Sequence, residues 1–184
     1  MPSSSLPTVR GTLFHTAVHD PRGDALHPLS GLRERWPDLH ERHGRKYRGR
    51  EHRLLERVFP LDCAWSEVVF LSPVDSTVLF DALRESGREV APVPLWRLDA
   101  GRLNPARCCI RLMRTEPGAA SAEPGTPDDY LPLTTAGLRA VSQVTDRALR
   151  RLRTLPPGHH ALPWGDVPHV LHRGPIPLSL FERA

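Results

Sequence analysis

Short apolar runs recur along the chain and are separated by polar segments rich in proline and glycine. The run 12–18 predicts a first strand, because β-prone residues fill it and a polar turn follows. The run 68–71 is continuously apolar, which is typical of a strand buried on both faces, and we expect it near the centre of a sheet. Further strands are expected at 93–98, 108–113 and 167–172.

Apolar residues at spacings of three and four mark the expected helices. One such stripe covers 29–39, where Pro37 interrupts it and predicts a short helix or two broken turns. The segment 76–86 follows the apolar strand and predicts a helix with one core-facing side. A longer helix is expected over 135–155, with most of its arginines off the apolar face.

Length and composition favour one compact domain. The 184 residues are enough to bury a core, while an apolar fraction of 39% and 20 prolines favour long irregular connections over a helical bundle. The predicted fold class is therefore α+β, a single domain over 9–184 with a mixed or split β-sheet flanked by a few helices. Residues 1–8 are expected to form a disordered tail, and 116–129, which has no apolar anchor, a flexible loop.

The absence of membrane-spanning, signal-peptide and paired-cysteine patterns predicts the cellular compartment and the state of the cysteines. No run approaches the roughly 20 apolar residues that cross a bilayer, and the N-terminus has no signal-peptide pattern, so we expect a cytoplasmic protein without a membrane partner. The three cysteines form no Cys-x-x-Cys pair, which argues against a disulfide framework or a thiolate zinc site. Cys108 and Cys109 would point to opposite faces of a strand, and all three are expected to be buried small side chains.

Ten histidines make the chain histidine-rich and raise the question of a metal. There is no His-Glu-x-x-His motif and no zinc-finger spacing, and His169 and His172 would point to opposite sides of a strand. No metal site is therefore predicted. Nucleophile elbows, Gly-x-Gly-x-x-Gly loops and Walker loops are also absent, which argues against ordinary kinases and Rossmann oxidoreductases.

The formal net charge of +4 is nearly all arginine, because Lys46 is the only lysine. The densest basic segment is 45–51, Arg-Lys-Tyr-Arg-Gly-Arg-Glu. Within it, Arg50 has the planar fork that binds phosphates, and Tyr47 can stack on a base or a nicotinamide ring. The strand–turn–helix unit that follows brings Ser72 to a polar turn. These features favour a nucleotide-handling enzyme.

The order of these parts resembles the ADP-ribosyltransferase fold. A first strand ends in Phe14-His15-Thr16, a basic segment and a strand–turn–helix follow, and residues 168–177 read Pro-His-Val-Leu-His-Arg-Gly-Pro-Ile-Pro. The chain is similar in this order to the compact bacterial branch that contains the DNA-thymidine transferases of the DarT type, and more distantly to the tRNA 2′-phosphotransferases. The resemblance rests on the two ends of the chain and on the order of the elements between them.

The resemblance implies an enzyme that binds NAD as a co-substrate and transfers ADP-ribose. Members of the family open with a His-x-Thr or His-Gly-Thr strand that binds the nicotinamide ribose. His15 and Thr16 match that motif, although here they are adjacent. Tyr47, Arg50 and Ser72 would complete the dinucleotide site. The acceptor of the transferred group would be a nucleic acid, a protein or a small molecule.

The late strand places His169 where the family carries its catalytic glutamate, and His169, Arg50 and His15 are therefore the predicted catalytic residues. An imidazole does not supply the fixed negative charge of a glutamate. The resemblance thus predicts either a transferase with altered chemistry, helped by a nearby acid such as Glu67 or Asp166, or a nucleotide-binding relative without transfer.

Two other functions remain open from the sequence. One is a small enzyme of a specialised bacterial pathway that uses histidine as a general acid or base, with or without a metal. The other is a non-catalytic domain that binds a partner through the arginines of 147–153 and the loop 116–129. The oligomeric state is undetermined.

Overall fold

The computed structural model describes residues 8–113, 124–156 and 163–184. Its α-helices in these ranges are α1 (Leu29–Arg35), α2 (Pro37–Gly44), α3 (Thr77–Glu85), α4 (Thr135–Val141) and α5 (Asp146–Arg153). Its strands are β1 (Thr12–Thr16), β2 (Ala25–Leu26), β3 (Arg57–Val58), β4 (Cys63–Ala64), β5 (Val68–Leu71), β6 (Leu95–Asp99), β7 (Cys108–Arg111), β8 (Tyr130–Pro132), β9 (His169–Arg173), β10 (Ile176–Pro177) and β11 (Glu182–Arg183). Single 3-10 turns form several of the connections.

Two antiparallel sheets form the centre of the molecule. One has the strand order β5-β9-β7-β8, and the other has the order β1-β6-β11. Phe14 and Ser72 exchange both backbone hydrogen bonds, at 2.8 and 2.7 Å, and so join the edge strand β1 to the end of the edge strand β5. The predicted class, a single compact α+β domain, is confirmed, and the sheet is split between these two parts.

The alternation of side chains along the four-stranded sheet fills two separate cores. Cys108 and Ile110 face a core that includes β1, β6 and α4, whereas Cys109 and Leu171 face a core around Trp65. This is the period of two expected for a strand, and it places the adjacent cysteines on opposite faces as predicted. All three cysteines are buried, and burial raises the pKa of the Cys108 and Cys109 thiols to about 12.

A third core lies between α3 and α5. Leu79 and Leu83 of α3 pack with Leu152 of α5, and all three side chains are buried. Phe80 meets the ring of Trp164 edge-on, with the ring centroids 5.5 Å apart. The helix predicted over 76–86 is therefore present, and its apolar face is anchored by the second helix.

Two of the predicted elements differ from the structure. The strand Val68–Leu71 lies at an edge of its sheet and not in the centre, because β9, which comes from the end of the chain, takes the inner position. The helix predicted over 135–155 is two helices, since Thr145 begins α5 with a side chain that accepts a hydrogen bond from the backbone of Ala148. The break predicted at Pro37 is confirmed, because that residue starts α2.

The loop predicted over 116–129 is described only from residue 124 onward, and the tail predicted over 1–8 only at Thr8. The part 124–129 is not the unanchored loop that was expected. Asp129 is 5% exposed, ends a 3-10 turn and accepts hydrogen bonds from the backbone and the hydroxyl of Thr126. Its carboxylate also lies 3.6 Å from the guanidinium of the buried Arg111, which anchors the segment to the sheet.

None of the helices within the described ranges has both the length and the apolar character needed to span a bilayer.

Candidate functional site

A cleft opens where β1 meets the end of β5, and we call it the histidine cleft. Its volume is about 330 Å³, and its walls come from the start of the chain, the basic segment, β5 and β9. The lining residues are Phe14, His15, Thr16, Lys46, Tyr47, Trp65, Phe70, Leu71, Ser72, Ser76, Trp164 and His169. Five of the six predicted site residues are therefore in one place: His15, Thr16, Tyr47, Ser72 and His169.

The geometry of this cleft depends on the edge position of β5. Because Phe14 pairs with Ser72 through the backbone, the residue that follows Phe14 lies beside the polar turn after β5. On its other side β5 pairs with β9, whose first residue is His169. Residues from three distant segments thus meet along a single seam.

Arg50 is the predicted site residue that does not line the cleft. Its guanidinium donates a hydrogen bond of 2.7 Å to the carbonyl of Lys46, and it thereby braces the turn of the basic segment. The role predicted for Arg50, direct contact with ligand phosphates, has no support in this position. The basic residue that reaches the cleft is Lys46, four positions earlier.

His15 is held in a neutral form. Its Nδ1 is hydrogen-bonded to the carbonyl of Thr16, which only accepts, so Nδ1 carries the proton. Burial lowers the pKa of His15 to about 4, while that hydrogen bond opposes the shift and the charges of Lys46 and His43 add to it. The Nε2 atom of His15 is therefore an unprotonated acceptor at neutral pH.

His169 repeats this arrangement on the opposite wall. Its Nδ1 donates to the carbonyl of Val167 over 2.8 Å, and its ring meets Phe70 edge-on at 6.1 Å between centroids. Burial lowers its pKa to about 4, the hydrogen bond to Val167 opposes this, and the charges of Lys46 and Arg111 lower it further. His169 thus offers an Nε2 lone pair and no fixed charge.

The aromatic wall of the cleft is formed by Tyr47, Trp65 and Phe70. The rings of Trp65 and Phe70 are 4.7 Å apart between centroids, and Nε1 of Trp65 donates to the hydroxyl of Tyr47 over 3.3 Å. Burial raises the pKa of Tyr47, and the hydrogen bond from Trp65 acts in the opposite direction. Such a wall offers flat apolar surface to a planar ring.

The serines of the cleft differ in how they are used. The hydroxyl of Ser72 donates to the carbonyl of Val74 over 2.7 Å and accepts from its backbone N–H over 3.1 Å, so it is committed to the turn. Ser76 is 1% exposed, precedes α3 and makes no capping hydrogen bond with its side chain. It is Asp75 that accepts the hydrogen bond from the backbone N–H of Thr77.

A second cleft of about 280 Å³ adjoins the first, and we call it the adjoining cleft. The two share the side chains of His15, Lys46, Tyr47, Trp65 and Phe70. Beyond these, the adjoining cleft is lined mainly by residues of 18–32, among them Asp20, Arg22, His27 and several apolar side chains, and by Leu39 and His43 of α2. Nε2 of His27 is buried and has no hydrogen-bond partner among the described residues.

The acids considered for catalysis have structural roles. Glu67 accepts a hydrogen bond of 2.7 Å from the backbone N–H of Ala64, and Asp166 forms an ion pair of 2.6 Å with Arg151. Neither lines the histidine cleft. His172, on the same strand as His169, is 5% exposed and donates to the carbonyl of Gly174 outside the cleft.

Within 8–113, 124–156 and 163–184, no three His, Cys, Asp or Glu side chains are grouped as metal ligands would be. His159 and His160 lie outside these ranges.

Sequence reasoning missed several lining residues, among them Lys46, Trp65, Phe70, Ser76 and Trp164. The one available signal was that Lys46 is the single lysine in a chain otherwise charged by arginine. The aromatic residues gave no such signal, because in sequence an aromatic residue that lines a cleft looks the same as one that fills the core.

A comparison of the chain with protein-family models, with curated proteins and with solved structures gives no match.

Proposed function

We propose that the protein binds a nicotinamide dinucleotide across the two clefts and acts as an ADP-ribosyltransferase-like enzyme. The observation that carries the proposal is the convergence of His15, Thr16, Tyr47, Ser72 and His169 on one cleft. These residues were predicted from the sequence, through side-chain chemistry and the resemblance in motif order, and they come from widely separated segments. Unrelated surface residues would not be expected to gather around one cavity.

The size and chemistry of the clefts support a dinucleotide. Cavities of roughly 300 to 1,000 Å³ with apolar walls and a few polar groups are typical of small-molecule sites. The aromatic wall of Tyr47, Trp65 and Phe70 offers a stacking surface for one ring, and the apolar lining of the adjoining cleft offers a place for a second. The five shared side chains would lie between the two halves of the ligand.

The transfer reaction assigns a role to His169. The bond between ribose C1′ and the nicotinamide nitrogen breaks, and its electron pair leaves with nicotinamide. A hydroxyl or amine of the acceptor forms the new bond to C1′, and its proton passes to Nε2 of His169. The unprotonated Nε2 of His169 would receive that proton, and because its pKa of about 4 makes it a weak base, transfer is expected to be slow. His15 would bind a ribose hydroxyl through its own Nε2.

The missing carboxylate has a predictable cost. A fixed negative charge stabilises the positive charge that develops on the ribose ring in the transition state, and a neutral imidazole does not. The described lining of the histidine cleft contains no aspartate or glutamate that would take over this task. The proposal therefore expects binding of NAD with slow release of nicotinamide.

The decisive experiment combines calorimetry with NAD and measurement of released nicotinamide. Wild-type protein is expected to bind NAD, and His15→Ala to weaken that binding. Arg50→Ala is expected to weaken binding less than His15→Ala, since Arg50 lies outside the cleft and acts only through the turn that it braces. His169→Glu is expected to release nicotinamide faster than wild type, whereas His169→Ala is expected to be slower.

The control for these variants is His52→Gln, which changes an exposed histidine of the same basic region that does not line either cleft. Its NAD affinity and nicotinamide release should equal those of wild type. The proposal is wrong if calorimetry detects no binding of NAD or ADP-ribose to the folded wild-type protein.

A second candidate is a histidine acid–base enzyme that does not use NAD. The observation that favours it is the pair His15 and His169, both neutral and both with Nδ1 fixed by a backbone carbonyl. This arrangement leaves two unprotonated Nε2 acceptors in one cleft at neutral pH. Absence of NAD binding, together with loss of catalysis in both His15→Gln and His169→Gln for an identified substrate, would favour this function.

A further inference from the structure

Lys46 occupies the junction of the two clefts. It is the only lysine in the 184 residues, and it is among the five side chains that line both cavities. Its Nζ lies 5.2 Å from the centroid of the Tyr47 ring. The basic segment therefore sends one cation into the cavity, and that cation is an ammonium where every neighbouring cation is a guanidinium.

Three arginines of this region have carboxylate partners, and Lys46 differs from them. Arg45 and Arg48 lie 3.5 and 3.8 Å from the carboxylate of Glu41. In the adjoining cleft, the guanidinium of Arg22 lies 3.6 Å from the carboxylate of Asp20 and 2.9 Å from that of Asp38. Within the described ranges, no ion pair joins Lys46 to a carboxylate, and no aspartate or glutamate lines the histidine cleft.

The histidines do not balance this charge. His15 and His169 are neutral acceptors with Nδ1 already committed, and the other residues that line the histidine cleft beside Lys46 carry no charge. Lys46 is an exposed residue, and the nearby cleft walls lower its pKa by partial burial. A cation without a carboxylate partner attracts an anion that enters the cleft, and the attraction grows where the walls and the ligand displace water.

We infer that Lys46 is the anion-binding residue of the site and that the ligand presents a phosphate group to it while a planar ring packs on Trp65 and Phe70. The inference rests on the proposed function in one respect, because it identifies that phosphate with the pyrophosphate of the dinucleotide. It replaces the role predicted for Arg50. It also distinguishes the ligand from a neutral nucleoside or a free nicotinamide, neither of which would engage Lys46.

The first test compares two charge-removing substitutions on the same segment. Lys46→Met removes the ammonium and keeps the length of the stem, and Arg48→Met removes an exposed guanidinium that lines neither cleft. In calorimetry with ADP-ribose, Lys46→Met is expected to weaken binding by roughly tenfold or more, the usual effect of losing a charged hydrogen bond. Arg48→Met should bind as wild type does, and Lys46→Arg should retain most of the affinity.

The second test observes the amine of Lys46 directly by NMR. Reductive methylation with ¹³C-formaldehyde keeps the positive charge and labels one lysine, whose NMR signal is separable from that of the N-terminal amine. Inorganic pyrophosphate and ADP-ribose are expected to shift this signal and to raise the pKa of the labelled amine. Adenosine and nicotinamide, which carry no phosphate, are expected to leave it unchanged.

The outcomes separate this inference from the proposed function. If ADP-ribose binds wild type and Lys46→Met equally, the inference about Lys46 is wrong and the proposed function stands. If NAD and ADP-ribose do not bind but pyrophosphate shifts the Lys46 signal, the anion site stands and the proposed function fails. If no phosphate compound shifts the signal of the folded protein, the inference is overturned.

Discussion

The histidine cleft and the pair of helices α3 and α5 are both rich in ionisable side chains, but they use them differently. On the helices, Arg151 pairs with Asp166 at 2.6 Å and Arg153 with Glu85 at 2.5 Å. In the cleft, Lys46 lies against an aromatic ring, and His15 and His169 are neutral. The two arginines are thus paired with carboxylates, whereas the cleft presents the Lys46 ammonium and the Nε2 atoms of His15 and His169 to a ligand.

This difference shows that the number of charges in a segment does not identify a site. The arginines of 147–153 were considered as a partner-docking face, yet two of them are held by carboxylates of their own chain. The basic segment 45–51 looked similar in sequence, yet it delivers one cation to a cavity. A basic side chain is available to a ligand when no carboxylate of the chain pairs with it. The spacing of residues in the sequence did not predict these ion pairs.

In the comparison of the cleft with the helices, the largest effect on stability is expected at the aromatic wall of the cleft. Trp65 is 8% exposed and packs on Phe70, so Trp65→Ala is expected to lower the free energy of unfolding by about 3 to 5 kcal/mol. Urea denaturation followed by far-UV circular dichroism measures this. A loss below about 1 kcal/mol would mean that the cleft wall is not part of the folded core, since such losses are typical of surface sites.

The next largest effect is expected at the ion pair of the helices. The side chain of Asp166 is 8% exposed, and removing one partner of a buried pair leaves an uncompensated charge. Asp166→Asn is expected to lower the free energy of unfolding by about 2 to 3 kcal/mol, less than for a fully buried pair, with NAD binding unchanged. The control is Asp81→Asn, which breaks an exposed 2.6 Å pair with Arg84. Loss of NAD binding in Asp166→Asn at full folding would instead assign Asp166 to the site.

The neutral histidines predict a pH dependence that the helices lack. The folded pKa of His169 is about 4, below the unfolded value of about 6.5, so the unfolded state binds the extra proton as the pH falls through this window. Stability is therefore lost progressively from about pH 6.5 to about pH 4. Between pH 7.5 and 5, wild type is expected to lose about 2 kcal/mol more than His169→Gln, whose side chain does not titrate.

Urea denaturation at the two pH values measures this difference. Arg48→Gln, which leaves His169 and its hydrogen bond to Val167 in place, should keep the wild-type pH dependence. Equal slopes for wild type and His169→Gln would show that His169 is not held in its neutral form.

The smallest effect is expected at the exposed pair of Arg153 and Glu85, whose side chains are 46% and 53% exposed. Arg153→Gln is expected to change the free energy of unfolding by less than about 0.5 kcal/mol, because exposed ion pairs gain little over water. The same denaturation assay applies, repeated at low and high salt. If Arg153→Gln lowers the free energy of unfolding as much as Asp166→Asn does, then exposure to solvent does not distinguish the two ion pairs.

Much of the local structure was predictable because it depends on neighbours in sequence. The strand beginning at Thr12, the break at Pro37 and the opposite facing of Cys108 and Cys109 all follow from short periodicities. The two-helix form of 135–153 was missed, since the side chain of Thr145 competes with helix continuation and that competition has no periodic signature. The ordered turn before β8 was missed because Asp129 finds Arg111 only in the folded chain.

Five of the six predicted residues line the candidate site, but the rest of its lining was not predicted. His15, Thr16, Tyr47, Ser72 and His169 came from the order of motifs, and the structure brings them together. Arg50 was chosen over Lys46 for its phosphate-binding geometry, but the turn that Arg50 itself braces directs the lysine into the cavity. The backbone conformation of the segment decides which of its adjacent cations enters the cleft. Residue composition does not specify that conformation.

The sequence by itself determined the elements, the α+β class, the single lysine and the histidines that begin and end the site. The tertiary structure alone decided that β9 occupies the inner position of the sheet and leaves β5 at its edge, where it meets β1. That arrangement brings together residues more than 150 positions apart, keeps two imidazoles neutral by burial, and places Lys46 at the cavity, whereas Arg151 and Arg153 of the helices pair with carboxylates. The physical reason is that periodicity is set by contacts a few residues apart, whereas burial and charge pairing are set by which distant segments pack together.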